Sequence, residues 1–176
     1  FGTALSEGKY NEKHLYDAVE MGINQYILMY VKPALDAGGE NALKIMEQLD
    51  ELDRKIKVVQ SKRTEKQQKL QQFSTPSPYS YLVAWLANIN RDDTVLEPSA
   101  GTGSLAVYGK LAGARTIVNE IDTEERDGRK LGRAHMLSLM GFDKIHNFDG
   151  EQINNLLPDE DRPTVVLANP PFSSSG

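Results

Sequence analysis

Apolar positions in the first third of the chain recur at helical spacing. Leu15, Ala18, Val19, Ile23, Tyr26, Ile27 and Tyr30 fall on one face of a helix. Asn11 stands where a residue would cap its first turn, and Pro33 with Gly38-Gly39 punctuates its end. A second helical pattern runs from about Glu40 to Gln71. Its residues Ile45, Leu49, Leu52, Ile56 and Val59 step by 4, 3, 4 and 3, a coiled-coil-like seam. The same step then lands on Arg63 and Lys66, so the seam lapses after about two heptads. Residues 1–70 are therefore expected to form a helical region, a hairpin packed on itself or on the remainder of the chain.

From Phe73 onward the pattern changes to alternating strands and helices. Short apolar runs predict strands at 94–97, 115–119, 144–148 and 164–168. Helices are expected at Tyr79–Ile89, Ser104–Leu111 and Thr123–Met140, with Gly141 closing the last as a C′ glycine. Trp85 is expected to pack into the core. This alternation predicts an α/β fold with parallel βαβ units in a doubly wound sheet of about four strands. In such sheets ligands bind beyond the carboxyl ends of the strands.

Composition narrows the picture modestly. The chain has 20 Lys plus Arg against 25 Asp plus Glu, a net charge of −5, which argues against a compact, wholly basic nucleic-acid binder. The stretch Arg54–Lys69 nonetheless carries seven bases and one acid, either a solvated helix face or a set of phosphate contacts. There are no cysteines, which excludes disulfides and thiolate metal ligands and fits a cytoplasmic protein. No apolar run approaches the roughly 18 residues of a membrane span. His14, His135 and His146 lack metal-ligand spacing and read as packing or surface residues. The chain opens on Phe1 and closes on Ser-Ser-Ser-Gly, which reads as a piece of something longer.

The candidate chemistry sits at the strand ends. Gly101-Thr102-Gly103-Ser104-Leu105-Ala106 follows the first strand and opens a helix, the pattern of a dinucleotide-type glycine loop. Glu97 ends that strand just before the glycines. A pyrophosphate there would meet a like charge, whereas a cationic, phosphate-free ligand would be attracted. Pro98 and Ser99 lengthen the loop beyond a tight NAD turn. S-adenosylmethionine, with a sulfonium, an ammonium and an adenosine, suits these residues better than a nicotinamide cofactor. Glu120, at the end of the second strand, is placed to accept both ribose hydroxyls, and Ile121 to lie against adenine. Asp149, after the third strand, is either an acceptor for the adenine amino group or a turn aspartate before Gly150.

The fourth strand stops at Asn169-Pro170-Pro171-Phe172, where two prolines cannot donate ladder hydrogen bonds. Together with Glu97-Pro98-Ser99-Ala100-Gly101-Thr102-Gly103 and the earlier Phe73-Ser74-Thr75-Pro76, this tetrapeptide resembles the amino-methyltransferases, above all the adenine-N6 DNA methyltransferases. The likeness spans about residues 71–176 and is nearest to the modification subunits of type I restriction systems and to phage-borne relatives. It implies a Rossmann-like class I methyltransferase core, here partial, since family sheets have seven strands. It further implies that Thr75 and Pro76 help hold the methionine end of the cofactor. The Asn169 side-chain oxygen and the Pro170 carbonyl would accept hydrogen bonds from the adenine amino group, the Asn-Pro-Pro-Phe loop being stiffened by Pro171. Phe172 would stack on a base flipped out of DNA.

Only 19 residues, Gly150 to Ala168, separate the third-strand acid from Asn169. No target-recognition domain fits there, so sequence recognition is expected from a specificity subunit, from a fused downstream domain, or not at all. The expected activity is methyl transfer to adenine in DNA. These residues alone are expected to bind cofactor weakly and turn over little. Two rivals stay open: transfer to a glutamine side chain or a ribosomal RNA guanine, and a non-catalytic docking module built on the same fold.

Overall fold

A computed structural model of the chain describes residues 4–56 and 74–170. The second half of the predicted 40–71 helix, most of the basic stretch, Phe73, Pro171 and Phe172 lie outside those residues.

Four parallel strands form the sheet: β1 (Thr94–Glu97), β2 (Arg115–Asn119), β5 (Lys144–His146) and β6 (Val165–Val166), in the order β5-β2-β1-β6. Counted along the chain this is 3-2-1-4, the first four positions of the 3-2-1-4-5-6 order of a doubly wound sheet. The chain reverses its direction of growth between β1 and β6, and crevices at such switch points hold ligands. The β1 and β2 boundaries match the expectation residue for residue, because Val95, Leu96, Ile117 and Val118 are buried and bounded by turns. Strands β5 and β6 are shorter than expected. They lie at the two margins of the sheet, where each pairs on one side only and its apolar run is partly exposed.

Helices α3 (Ser77–Leu86), α4 (Ala106–Leu111) and α5 (Arg133–Leu139) accompany the sheet, with a single turn, α6, at Ile153–Leu156. The expected helix from Thr123 is a correction. Its first half is instead a two-stranded hairpin, β3 (Glu125–Arg126) with β4 (Arg129–Lys130). The cause is Asp127-Gly128, whose φ values of 51° and 72° make the tight turn that Asp-Gly favours. Gly132 then brings the chain back against itself: a Cβ there would lie 2.3 Å from the Asp122 carbonyl oxygen and 2.4 Å from the Glu124 nitrogen. Gly132→Ala is expected to destabilise by about 1–3 kcal/mol, measured by urea unfolding, because backbone cannot yield as a side chain would. Gly141 follows α5 at φ 67° as expected.

Helix α1 (Glu12–Tyr26) begins at Asn11, whose side chain accepts the His14 N–H at 3.1 Å while His14 Nδ1 accepts the Asn11 N–H at 3.1 Å. It runs on into a wide turn, Ile27–Val31, and stops at Lys32, where φ turns positive, just before Pro33. Helix α2 starts at Gly39 and is described to Ile56. Both helices pack on the sheet half of the chain. Leu49 and Ala42 of α2 and Ile27 join Tyr81, Val95, Val107, Tyr108 and Leu167 in one core. Tyr81 Oη donates to the Ala34 carbonyl at 2.8 Å and Trp85 Nε1 to the Ala37 carbonyl at 2.8 Å, which ties α3 to the α1–α2 connection. Trp85 is partly buried against that core, as expected.

The face of α1 aimed at the sheet half is polar. Lys13, Asp17 and Asn24 are buried, whereas Leu15, Tyr26 and Tyr30 on the expected apolar face are exposed. Lys13 Nζ donates to Asp17 at 2.6 Å and to Asp122 at 2.8 Å. Arg133 closes on Asp17 with two bonds, at 2.9 and 2.6 Å. Buried charges persist only when paired this way, so the helix is held by ions where the sequence pattern predicted oil.

Candidate functional site

The loop Pro98–Leu105 leaves the end of β1 and turns twice through glycine, with φ 56° at Gly101 and 85° at Gly103. Side chains are strained at such angles. A Cβ on Gly103 would also press on Leu137 and Phe142 at 3.1–3.3 Å. The loop is fastened to its neighbours by backbone bonds: the Ala100 N–H to the Asn119 carbonyl at 2.9 Å and the Gly103 N–H to the Ala100 carbonyl at 2.7 Å. Asn119 closes the rim as a bridge. Its amide donates to the Pro98 and Phe148 carbonyls at 2.9 and 3.0 Å and accepts the Phe148 N–H at 2.8 Å. Thus the ends of β1, β2 and β5 share one edge.

The predicted acids lie along that edge. Glu97 is 3% exposed and accepts the Ala106 N–H at 2.7 Å, so it closes the first turn of α4. Burial lifts its carboxyl well above the usual carboxylate range, against the pull of the Ala106 and Leu105 amides, and Glu120 adds to the rise. Glu120 is 6% exposed and accepts N–H bonds from Gly101 and Asp122, each at 2.8 Å. Burial raises its carboxyl too, opposed by those amides and by Arg133. Both acids therefore brace the glycine loop, and Glu120 sits directly beneath Gly101. Ile121 is half exposed next to it. Asp149 is exposed and accepts the Glu151 N–H at 3.0 Å, the turn-aspartate arrangement. Pro98 and Ser99 are half-buried and Ala100 is buried.

The fourth strand brings the amide to the same edge. Asn169 is half-buried and not locked in the core. Its Nδ2 donates to Thr75 Oγ1 at 3.0 Å across 94 residues of sequence. Since the amide's donor end is engaged by Thr75, its Oδ1 is the end left to accept. Ser74, the preceding residue, donates to Glu20 and lies 3.5 Å from Thr102 Oγ1 of the glycine loop. Ser74 and Thr75 thus bridge Asn169 and the glycine loop. Thr75 and Pro76 line a cavity of about 560 Å³ with Glu20, Asn24 and Ser104. Glu97, Glu120 and Asp149 do not line it.

Sequence reasoning missed Asn119, Glu20 and Asn24. Asn24 donates to the Thr102 carbonyl at 2.9 Å and to Ser104 Oγ at 3.2 Å, which pins α1 to the glycine loop. The missed signal was a polar stripe: Lys13, Asp17, Glu20 and Asn24 step by 4, 3 and 4 along α1, the same spacing that marks an apolar seam.

Glu97→Gln is expected to change how stability depends on pH. A carboxyl whose folded-state value is raised stabilises fully below its unfolded value of 4.5, and that contribution is lost as pH rises through the folded value. Glutamine keeps an acceptor for Ala106 without the charge. The stability difference between wild type and Glu97→Gln should therefore move in favour of the variant as pH rises through that window, as read by urea unfolding at stepped pH.

The chain is an α/β protein with a four-stranded parallel sheet, compatible with a Rossmann-like fold. Compared with protein-family models, curated proteins and solved structures, it matches none. Among the described residues no helix is long and apolar enough to cross a membrane, and no group of three or more His, Cys, Asp or Glu is arranged to hold a metal ion.

Proposed function

We propose that this chain carries the cofactor half of an S-adenosylmethionine-dependent methyltransferase acting on the exocyclic amino group of adenine in DNA. The observation that carries the reading is the meeting of three separated motifs at one sheet edge. Asn169 is bonded to Thr75, Ser74 neighbours Thr102, and Gly101 rests on Glu120. The residues present fit the cofactor's chemistry: the loop turns through positive φ at Gly101 and Gly103, and a partly exposed carboxylate, Glu20, lies beside Thr102 of that loop. Lys13 and Arg133 are already paired with Asp17 and Asp122, so an added cation would find in Glu20 the more open carboxylate.

When bound, the cofactor supplies an electrophilic methyl group on a positively charged sulfur. The chain's part is alignment and polarisation. An aromatic amine is a poor nucleophile because its lone pair is delocalised into the ring. Asn169 Oδ1, oriented by the Thr75 bond, and the Pro170 carbonyl would accept its two hydrogens and hold the nitrogen toward the donor. With the cofactor bound, these two acceptors would keep the nitrogen in line with the methyl group that the sulfonium would release, and the amine proton would pass to water. No strong base is required. A base that reaches this edge must leave the duplex, and recognition of the surrounding sequence would come from a specificity subunit, from a fused downstream domain, or not at all.

The test is a labelled-methyl assay on the intact protein with duplex DNA, ribosomal RNA and protein substrates offered in parallel. Label in DNA adenine supports the reading. Label confined to RNA or to glutamine moves the reading to those acceptors, and no label in any acceptor, with no cofactor binding, ends it.

A further inference from the structure

Helix α1 places one acid where the sequence motifs provide none. Glu20 stands on the polar stripe of α1, within the cavity lined by Thr75, Pro76 and Ser104. Its side chain is 34% exposed, whereas Glu97 and Glu120 are nearly closed off. The kind of bonding differs as well. Glu97 and Glu120 take backbone N–H groups, which cannot turn away. Glu20 takes the hydroxyls of Ser74 and Thr102, the latter at 3.4 Å, and hydroxyls rotate. Its nearest cation is already committed: Arg133 binds Asp17 through two bonds and reaches Glu20 only at 4.0 Å. Glu20 is therefore a carboxylate with accessible lone pairs, loosely held by donors that can be exchanged, on the wall of a cavity.

Resting on the methyltransferase reading above, we infer that Glu20 receives the α-ammonium group of the bound cofactor's methionine end. An ammonium offers three donors and a full charge. It would displace the two hydroxyl bonds with charge-assisted ones, which are roughly twice as strong. Ser74 and Thr102 would then be free to turn toward the cofactor's carboxylate, with Asn24 holding the loop beneath them. Other charges around the cavity are engaged elsewhere: Asp53 accepts from Ser77 at 2.9 and 2.7 Å, and Asp50 pairs with Arg54 at 2.6 Å. Burial raises the Glu20 carboxyl above its ordinary value, opposed by Ser74 and Arg133, a bias that an arriving cation would reverse. On this inference the N-terminal helical region is a working part of the ligand site.

The full chain, as wild type and as Glu20→Gln, is titrated calorimetrically with S-adenosylmethionine, S-adenosylhomocysteine and methylthioadenosine. The first two carry the ammonium and the third does not. Glu20→Gln should weaken the first two by about tenfold, the scale of one charged hydrogen bond, and leave methylthioadenosine unchanged. Equal weakening of all three would mean that Glu20 only shapes the cavity, and no weakening would mean that the ammonium goes elsewhere; either overturns the inference while the cofactor reading stands. Wild type that binds none of the three would overturn both. Urea unfolding of the variant separates loss of contact from loss of fold, and Glu20→Asp, which keeps the charge on a shorter arm, should recover part of the affinity.

Discussion

Asp17→Ala should lower the stability of the chain by about 3–5 kcal/mol, the cost of stranding a buried charge by removing its partner. Asp17 is 1% exposed and is the common acceptor for Lys13 and Arg133, which are themselves 1% and 3% exposed. After truncation Lys13 keeps Asp122, but Arg133 retains only the longer-range attraction of Glu20 and Glu120. The effect is read from urea denaturation at neutral pH. Asp17→Asn tests the same point more finely: it preserves shape and one acceptor, so most of its penalty must come from lost charge. A loss below about 1 kcal/mol, the scale of an exposed ion pair, would mean that water reaches the cluster and that α1 is not held by it.

Asn169→Ala should reduce methyl transfer by about 10²–10³-fold, the usual cost of deleting one preorganised polar group at a reacting centre. Stability should change little, because Asn169 is half-buried and makes one described side-chain bond. The decisive measurement is a single-turnover rate in the intact protein together with cofactor affinity. A rate loss with unchanged affinity assigns Asn169 to the amine. Thr75→Val should give a smaller rate loss, since it removes the hydroxyl that orients the amide and leaves Asn169 present. An Asn169→Ala rate within twofold of wild type would remove the amide from the chemistry.

Legibility in the sequence followed the physics of each element. Strands β1 and β2 were fully readable because they are buried on both faces and need continuous apolar residues. The glycine loop was readable because two left-handed turns demand glycine. The β3–β4 hairpin was not, although Asp127-Gly128 signalled it: the apolar positions after it, Leu131, Ala134, Leu137 and Met140, fit a helix whose start the polar residues 123–130 do not mark. The orientation of α1 was hidden for a different reason. Hydrophobic periodicity finds buried faces only where burial is apolar, and Lys13, Asp17 and Asn24 are buried through bonds to distant residues. The Asn169–Thr75 contact and the position of Glu20 depend on tertiary approach across 94 and 54 residues, which residue spacing does not encode. Glu97 and Glu120 were found in sequence as acids at strand ends, but their bonds to loop amides emerge only from the fold.

The charged knot beneath α1 also constrains how this sequence can drift. Lys13, Asp17, Asp122 and Arg133 compensate one another as a set, so an exchange at any one of them strands its fellows. A set replaced wholesale by well-packed hydrocarbon would fold as well or better, yet every single step toward it passes through a broken intermediate. Relatives of this chain should therefore fall into two camps, those that keep all four ions and those that have abandoned all four.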